Sequence, residues 1–167
     1  MDTASPNPTP ARIRPATAAD SDDIIRLVIG LAEFERLPPP DAGARARLLR
    51  DAFGPQPRFE ILLAEVDGRP AGYAFFFETY STFLARPTLY LEDLFVLPEQ
   101  RGRRLGYALF QACAREALRR ECGRMDWAVL DWNTDAIQFY ERLGARRLAD
   151  WQLFRLEGAA LAARGAG

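Results

Sequence analysis

The chain has 167 residues, 49% of them hydrophobic and 27% charged, with a formal net charge of −1. It is long enough to bury a core without disulfide or metal staples, and it lacks the basic excess of a nucleic-acid binder. There is no histidine, which removes the commonest general base and metal ligand and every Ser-His or Cys-His nucleophile, and no metal is expected; Cys113 and Cys122 form no metal-site or disulfide spacing.

Residues 1–10 are polar and proline-rich, unlike a signal peptide, and are expected to be a disordered lead-in. No apolar run approaches the ~18 residues of a membrane span. A cytoplasmic protein, without membrane or nucleic-acid partners, is the simple expectation. A single domain over 11–158 and a flexible tail over 159–167 complete the predicted organisation.

Arg12 to Arg14 reads as a short strand closed by Pro15. Thr17 with Asp20 three residues later makes a helix start, and Ile24, Leu27, Val28, Leu31 and Phe34 recur at helical spacing up to the stop at Pro38-Pro39-Pro40. Asp41 caps a second predicted helix through Leu48, Leu49 and Ala52, ended by Gly54 and Pro55. Two strand patterns, Phe59–Val66 and Ala71–Phe77, flank Asp67-Gly68, a hairpin turn signal. A loop from Thr79 to Thr88 is expected next.

From Leu91 the chain reads strand, basic glycine turn, helix. Glu92 and Asp93 interrupt an apolar run, Pro98 closes it, and a turn with Gly102, Gly106 and three arginines leads into Leu105, Leu109, Phe110, Cys113, Ala114 and Leu118 on one helical face. Such a junction aims backbone N–H groups and a helix dipole at one spot, the usual way to hold a phosphate. Met125–Leu130 reads as a strand, Thr134–Leu143 as a helix ended by Gly144, and Arg147–Leu156 as a last strand. The order β-α-α-β-β-β-α-β-α-β predicts an α/β (α+β) domain with a central mixed, mostly antiparallel sheet flanked by helices.

Ile13–Asp20, Asp51–Gly54, Leu89–Val96, Arg101-Gly102 through Gly106, Trp132-Asn133, Phe139-Tyr140 and Gly144-Ala145 together resemble the GNAT superfamily of N-acetyltransferases, and within it the diamine (spermidine/spermine) acetyltransferases. The resemblance spans about Ile13 to Phe154. It implies transfer of an acetyl group from acetyl-CoA to the primary amine of a small diamine, polyamine or lysine-like substrate, and a homodimer. It assigns the cofactor arm to Leu94, Phe95, Val96 and Asn133, and the pyrophosphate to Arg101, Gly102, Arg103, Arg104, Leu105, Gly106 and Tyr107. Tyr140 matches the family's proton donor to the leaving thiolate. Phe34, Glu35, Asp126, Trp127, Ala128, Asp150 and Trp151 would line the amine pocket.

An alkylamine has a pKa of ~10.4, so a carboxylate must attract the cation and take its proton. Glu92 is the candidate, and a regular pleat would turn Asp93 to the opposite face. The chain departs from the family at Arg104, where the phosphate turn carries glycine. If that position needs φ > 0 an arginine there is strained, but with Gly102 and Gly106 retained the turn is expected to tolerate it. Ser81-Thr82-Phe83 replaces the family's Asp-Pro-Trp, which weakens the match to long polyamines and raises a thialysine-like amino acid. Two alternatives stand beside this reading: a non-catalytic acyl-CoA-binding sensor module, and an acetyltransferase acting on protein lysine or an aminated antibiotic.

Overall fold

A computed structural model describes residues 12–166. The expected lead-in at residues 1–10 lies outside them. The chain divides into two compact units, one through Ala128 and one from Val129 onward.

The first unit is built on a five-stranded sheet in the order β1-β2-β3-β4-β5. The strands are β1 (Arg12–Pro15), β2 (Glu60–Val66), β3 (Arg69–Ser81), β4 (Arg86–Val96) and β5 (Arg124–Asp126). The first four pair antiparallel, and β5 joins β4 in parallel. The β2–β3 turn has φ of +50° at Asp67 and +75° at Gly68, the twist a two-residue hairpin needs.

Each face of the sheet carries its own apolar layer. Helix α3 (Leu105–Arg119) packs Leu105, Leu109 and Cys113 onto Ala74, Phe76, Leu89 and Leu91. Helices α1 (Ser21–Phe34) and α2 (Ala42–Phe53) cover the other face through Ile24, Leu27 and Ala52, against Leu63, Tyr73, Phe75 and Phe95. The start of α1 is fixed by charge. Arg14 donates to both Asp20 oxygens and to Glu65, and the Thr17 N–H and hydroxyl donate back to Asp20 Oδ2. Arg120, at the end of α3, ties Glu60, Glu78 and Glu116 together.

The second unit contains α4 (Thr134–Arg142) and α5 (Gly158–Gly165). Asn133 caps α4, its Oδ1 accepting from the Ala136 N–H at 3.2 Å.

Several expectations are corrected. The predicted loop Thr79–Thr88 is mostly strand, since cross-strand pairing of β3 with β4 continues to Ser81 and Arg86. The predicted strand Met125–Leu130 ends at Asp126. Leu118, read as core, is 77% exposed because it falls off the buried stripe of Leu105, Leu109, Cys113 and Ala117. The predicted last strand Arg147–Leu156 has no strand pairing, for which its apolar pattern alone is no substitute, and Leu153 and Phe154 are exposed. The Ala-rich stretch after it, read as tail, is helical in α5, as its alanine content favours.

Candidate active site

The site is organised by an irregularity in β4. Asp93 lies opposite Phe75 and Leu91 opposite Phe76, so Glu92 is an extra residue without a partner, a β-bulge. Its effect on facing is visible in the packing. Leu89 and Leu91 before the bulge share the α3 layer with Leu94 and Val96 after it, which a period of two would forbid.

Asp93 consequently faces the α1–α2 layer with Phe95. Its Oδ2 accepts from the Tyr73 hydroxyl at 3.4 Å, and Tyr73 is fully buried. Burial, then the charges of Glu92 and Glu35, push the Asp93 carboxyl up to about 7, with the Tyr73 hydrogen bond pulling the other way. Glu35, just past the end of α1, is raised by partial burial. Burial raises the Tyr90 phenol too, helped by Glu92 and Asp126. The expectation that Asp93 turns away from Glu92 fails because the bulge breaks the pleat; the charges of Glu92 and Glu35 both act on the Asp93 carboxyl. A cation entering here would meet concentrated negative charge and a carboxyl poised near neutral pH.

Beyond the carboxylates, β4 offers an open edge. Pairing with β5 covers only Thr88, Leu89 and Tyr90, after which no strand pairs with that edge among the described residues. The Leu97 N–H donates to Ala71 O, which sets the phase of the ladder: Phe95 turns its backbone groups toward β3, while Leu94 and Val96 turn theirs to the open edge. Such an edge accepts an extended, amide-bearing ligand.

Past Pro98 the turn supplies donors. The backbone N–H groups of residues 102–107 have no acceptor among the described residues, and helical bonding resumes at the Ala108 N–H to Arg104 O. A Cβ built on Gly102 would meet nothing within 4 Å, so the turn is open to solvent. This donor set fits a diphosphate. Arg104 sits at φ +62° and ψ +16°, the left-handed conformation, at a cost of about 1 kcal/mol for a residue with a side chain. The tolerance expected for Arg104 is thus real and carries strain. Its guanidinium lies 5.2 Å from the Tyr107 ring centroid. Arg101 is engaged differently: Nε donates to Val96 O, and the guanidinium lies 4.7 Å from the Phe34 ring centroid.

The other predicted residues divide. Asp126 ends β5 opposite Tyr90, paired with Arg124. Trp127 stacks edge-on against Phe110 beside the α3 layer, and Ala128 is exposed. Asn133, Tyr140, Asp150 and Trp151 belong to the second unit, where Tyr140 sits on α4 with its ring 5.1 Å from Phe139, and Asp150 and Trp151 are exposed. Sequence reasoning set Asp93 aside and did not single out Tyr73. The signal was present in the slip of the apolar alternation between Leu91 and Leu94.

A cavity of about 650 Å³ lies elsewhere in the first unit, lined by Pro15, Phe53, Phe59 and Arg115 among others. Its carboxylates, Glu60 and Glu116, are already held by Arg120, so it lacks a free acid or base. No described cluster of three or more His, Cys, Asp or Glu could hold a metal, and no described helix is long and apolar enough to cross a membrane.

The acetyltransferase (GNAT) family model matches residues 28–145. The chain belongs to this family. Its members use acetyl-CoA as co-substrate, and this chain is an N-acetyltransferase acting on amines. It is 38% identical over 161 residues to a thialysine N-epsilon-acetyltransferase from Mus musculus, covering 90% of this chain and 94% of the relative. It is 33% identical over 154 residues to a human (Homo sapiens) spermidine/spermine N(1)-acetyltransferase-like protein, covering 86% of this chain and 22% of that one. Among solved structures, an integron cassette protein from V. cholerae superposes with a TM-score of 0.83 at 22% identity, covering 95% of this chain and 99% of the other, a likeness of fold.

Proposed function

We propose that this N-acetyltransferase acts on the side-chain amine of a lysine-like amino acid such as thialysine, with small diamines as weaker substrates. The observation that carries this reading is the carboxylate group at the bulge, Glu92 with Asp93 and Glu35, at the head of the open β4 edge that leads to the donor turn. The near full-length likeness to a thialysine acetyltransferase and the absence of a carboxylate and indole at Ser81-Thr82-Phe83 support the shorter substrate.

In this mechanism Glu92 and Asp93 hold the ammonium, with Phe34, Glu35, Asp126, Trp127 and Ala128 as the further amine-binding residues of the first unit. At pH 7 only about one alkylamine in a few thousand is neutral, so proton removal precedes attack. Glu92 accepts that proton directly or through a water. The freed nitrogen forms a bond to the acetyl carbonyl carbon as the carbon–sulfur bond breaks, Tyr140 gives its proton to the departing sulfur, and the second proton that the nitrogen loses as the amide forms goes to solvent, from which the Tyr140 phenolate is reprotonated. On reference values a phenol of pKa ~10 protonating a thiolate of ~8.5 is uphill, so transfer is concerted with collapse. Backbone groups of Leu94 and Val96, flanking Phe95, hold the carrier's amide arm; the N–H groups from Gly102 to Tyr107, with Arg101, Arg103 and Arg104, hold its phosphates. We further propose a cytoplasmic homodimer without nucleic-acid or membrane partners.

The test is a panel of thialysine, lysine, ornithine, putrescine and spermidine supplied with acetyl-CoA, read by thiol release and by mass spectrometry of the product. Thialysine acetylated at its side-chain amine with the highest kcat/KM supports the assignment. Spermidine or putrescine as the preferred acceptor would overturn it.

A further inference from the structure

We infer that Arg124 is a specificity-determining residue, the receptor for the α-carboxylate of an amino acid whose side-chain amine sits at Glu92 and Asp93; this rests on the lysine-like reading above. Those two carboxylates account for the reacting amine alone, and any diamine would satisfy them. Choosing an amino acid needs a cation at the far end of the substrate, on the same face of the sheet. β4 pairs with β5 through Thr88 with Arg124, Leu89 with Met125 and Tyr90 with Asp126, and such partners point to one face. Leu89 and Met125 pack in the α3 layer, so Tyr90, Asp126, Thr88 and Arg124 stand on the opposite face, the side to which Asp93 and Phe75 turn.

The Tyr90 side chain joins the two ends of this surface. Burial raises its phenol first, and the charges of Glu92 and Asp126 both add to the effect, so it lies within reach of both carboxylates. Its ring is held by Phe77, with 5.3 Å between centroids. Beyond it Arg124 and Asp126, both partly exposed, form an ion pair along β5, with Nε 2.9 Å from Oδ2. Neither Nη group of Arg124 has a partner among the described residues. The head group of an amino acid presents the complementary pair, an ammonium for Asp126 and a planar carboxylate for the remaining guanidinium N–H groups. Two residues along a strand span about 7 Å, comparable to an extended lysine side chain. The substrate's side chain therefore lies over the Tyr90 ring, between the reacting amine and the head group. Arg86 also faces this side, but it precedes Thr88 on β4 and stands farther from Tyr90 than Arg124 does from Asp126.

The test is steady-state acetylation of thialysine, thialysine carboxamide and decarboxylated thialysine, which carry the carboxylate intact, neutralised and removed. Wild type is compared with Arg124→Gln, Arg124→Lys and Arg86→Gln. Wild type is expected to favour thialysine over the other two by about tenfold in kcat/KM. Arg124→Gln should raise KM for thialysine about tenfold at nearly constant kcat and leave the other two substrates level or improved, so that the preference disappears. Arg124→Lys should recover part of the preference, and Arg86→Gln should keep it whole. A fall by the same factor on all three substrates would overturn the inference, as would an unchanged thialysine KM in Arg124→Gln or a preference lost in Arg86→Gln instead. If wild type acetylates decarboxylated thialysine and not thialysine, the lysine-like reading falls and takes this inference with it; a thialysine preference that survives Arg124→Gln removes the inference alone.

Discussion

Tyr73 and Asp93 face each other across β3 and β4 inside the α1–α2 layer, the phenol donating to a carboxyl that burial has pushed up to about 7. A raised carboxyl is more protonated in the folded than in the unfolded chain between about pH 4 and 7. Asp93 therefore contributes nothing adverse below pH 4, lowers stability as pH rises through that window by up to about 4 kcal/mol, and levels off above 7. Urea unfolding across this range should show a wild-type decline that Asp93→Asn flattens. Tyr73→Phe removes the bond that favours the charged form, so it should move the Asp93 titration higher still. A fall of equal size in wild type and Asp93→Asn would contradict the assignment.

Tyr140→Phe should lower turnover by about 100-fold, in line with the loss of a general acid, and leave CoA affinity within about twofold. Stopped turnover together with lost CoA binding would assign Tyr140 to packing on α4. Unchanged turnover would remove it as the proton donor.

The resemblance-bearing motifs made the superfamily, the sheet-forming segments and the basic turn legible in the chain alone. The geometry of Asp93 was not, because a bulge is a property of two strands: the count of residues from Ala74 to Phe76 must be compared with that from Leu91 to Leu94. The same holds for Arg147–Leu156, whose apolar pattern fits a strand but whose pairing partner no local pattern can supply. Arg104 was legible as a departure, while its sign of φ emerged only from the folded turn.

The Arg14–Asp20–Glu65 cluster should stabilise the β1–α1 corner. Arg14 holds the Asp20 carboxyl well below the usual carboxylate range, so its contribution is present at neutral pH and is lost only as pH falls through that lowered value. Asp20→Ala leaves Arg14 with Glu65 alone and the Thr17 N–H without its acceptor. A loss of about 2–3 kcal/mol is expected by denaturant unfolding at pH 7, shrinking in strong acid.

Gly72→Ala tests the β3–β4 approach. A Cβ at Gly72 would lie 2.7 Å from Phe95 O and 3.0 Å from Val96 Cγ2, and the first of these is backbone that cannot step aside. The variant should lose about 2–3 kcal/mol and weaken CoA binding, since the displaced residues form the open edge of β4. Wild-type Tm would contradict this packing.

The central claim is that the β4 edge and the turn after it receive the carrier while Glu92 and Asp93 receive the amine. A crystal structure with CoA and thialysine bound tests it most directly. The expected result is amide-arm hydrogen bonds to the backbone of Leu94 and Val96, the diphosphate on the N–H groups of residues 102–107, and the side-chain amine at Glu92 and Asp93. CoA bound instead in the cavity beside Phe53 and Phe59, or an amine seated away from both carboxylates, would contradict it.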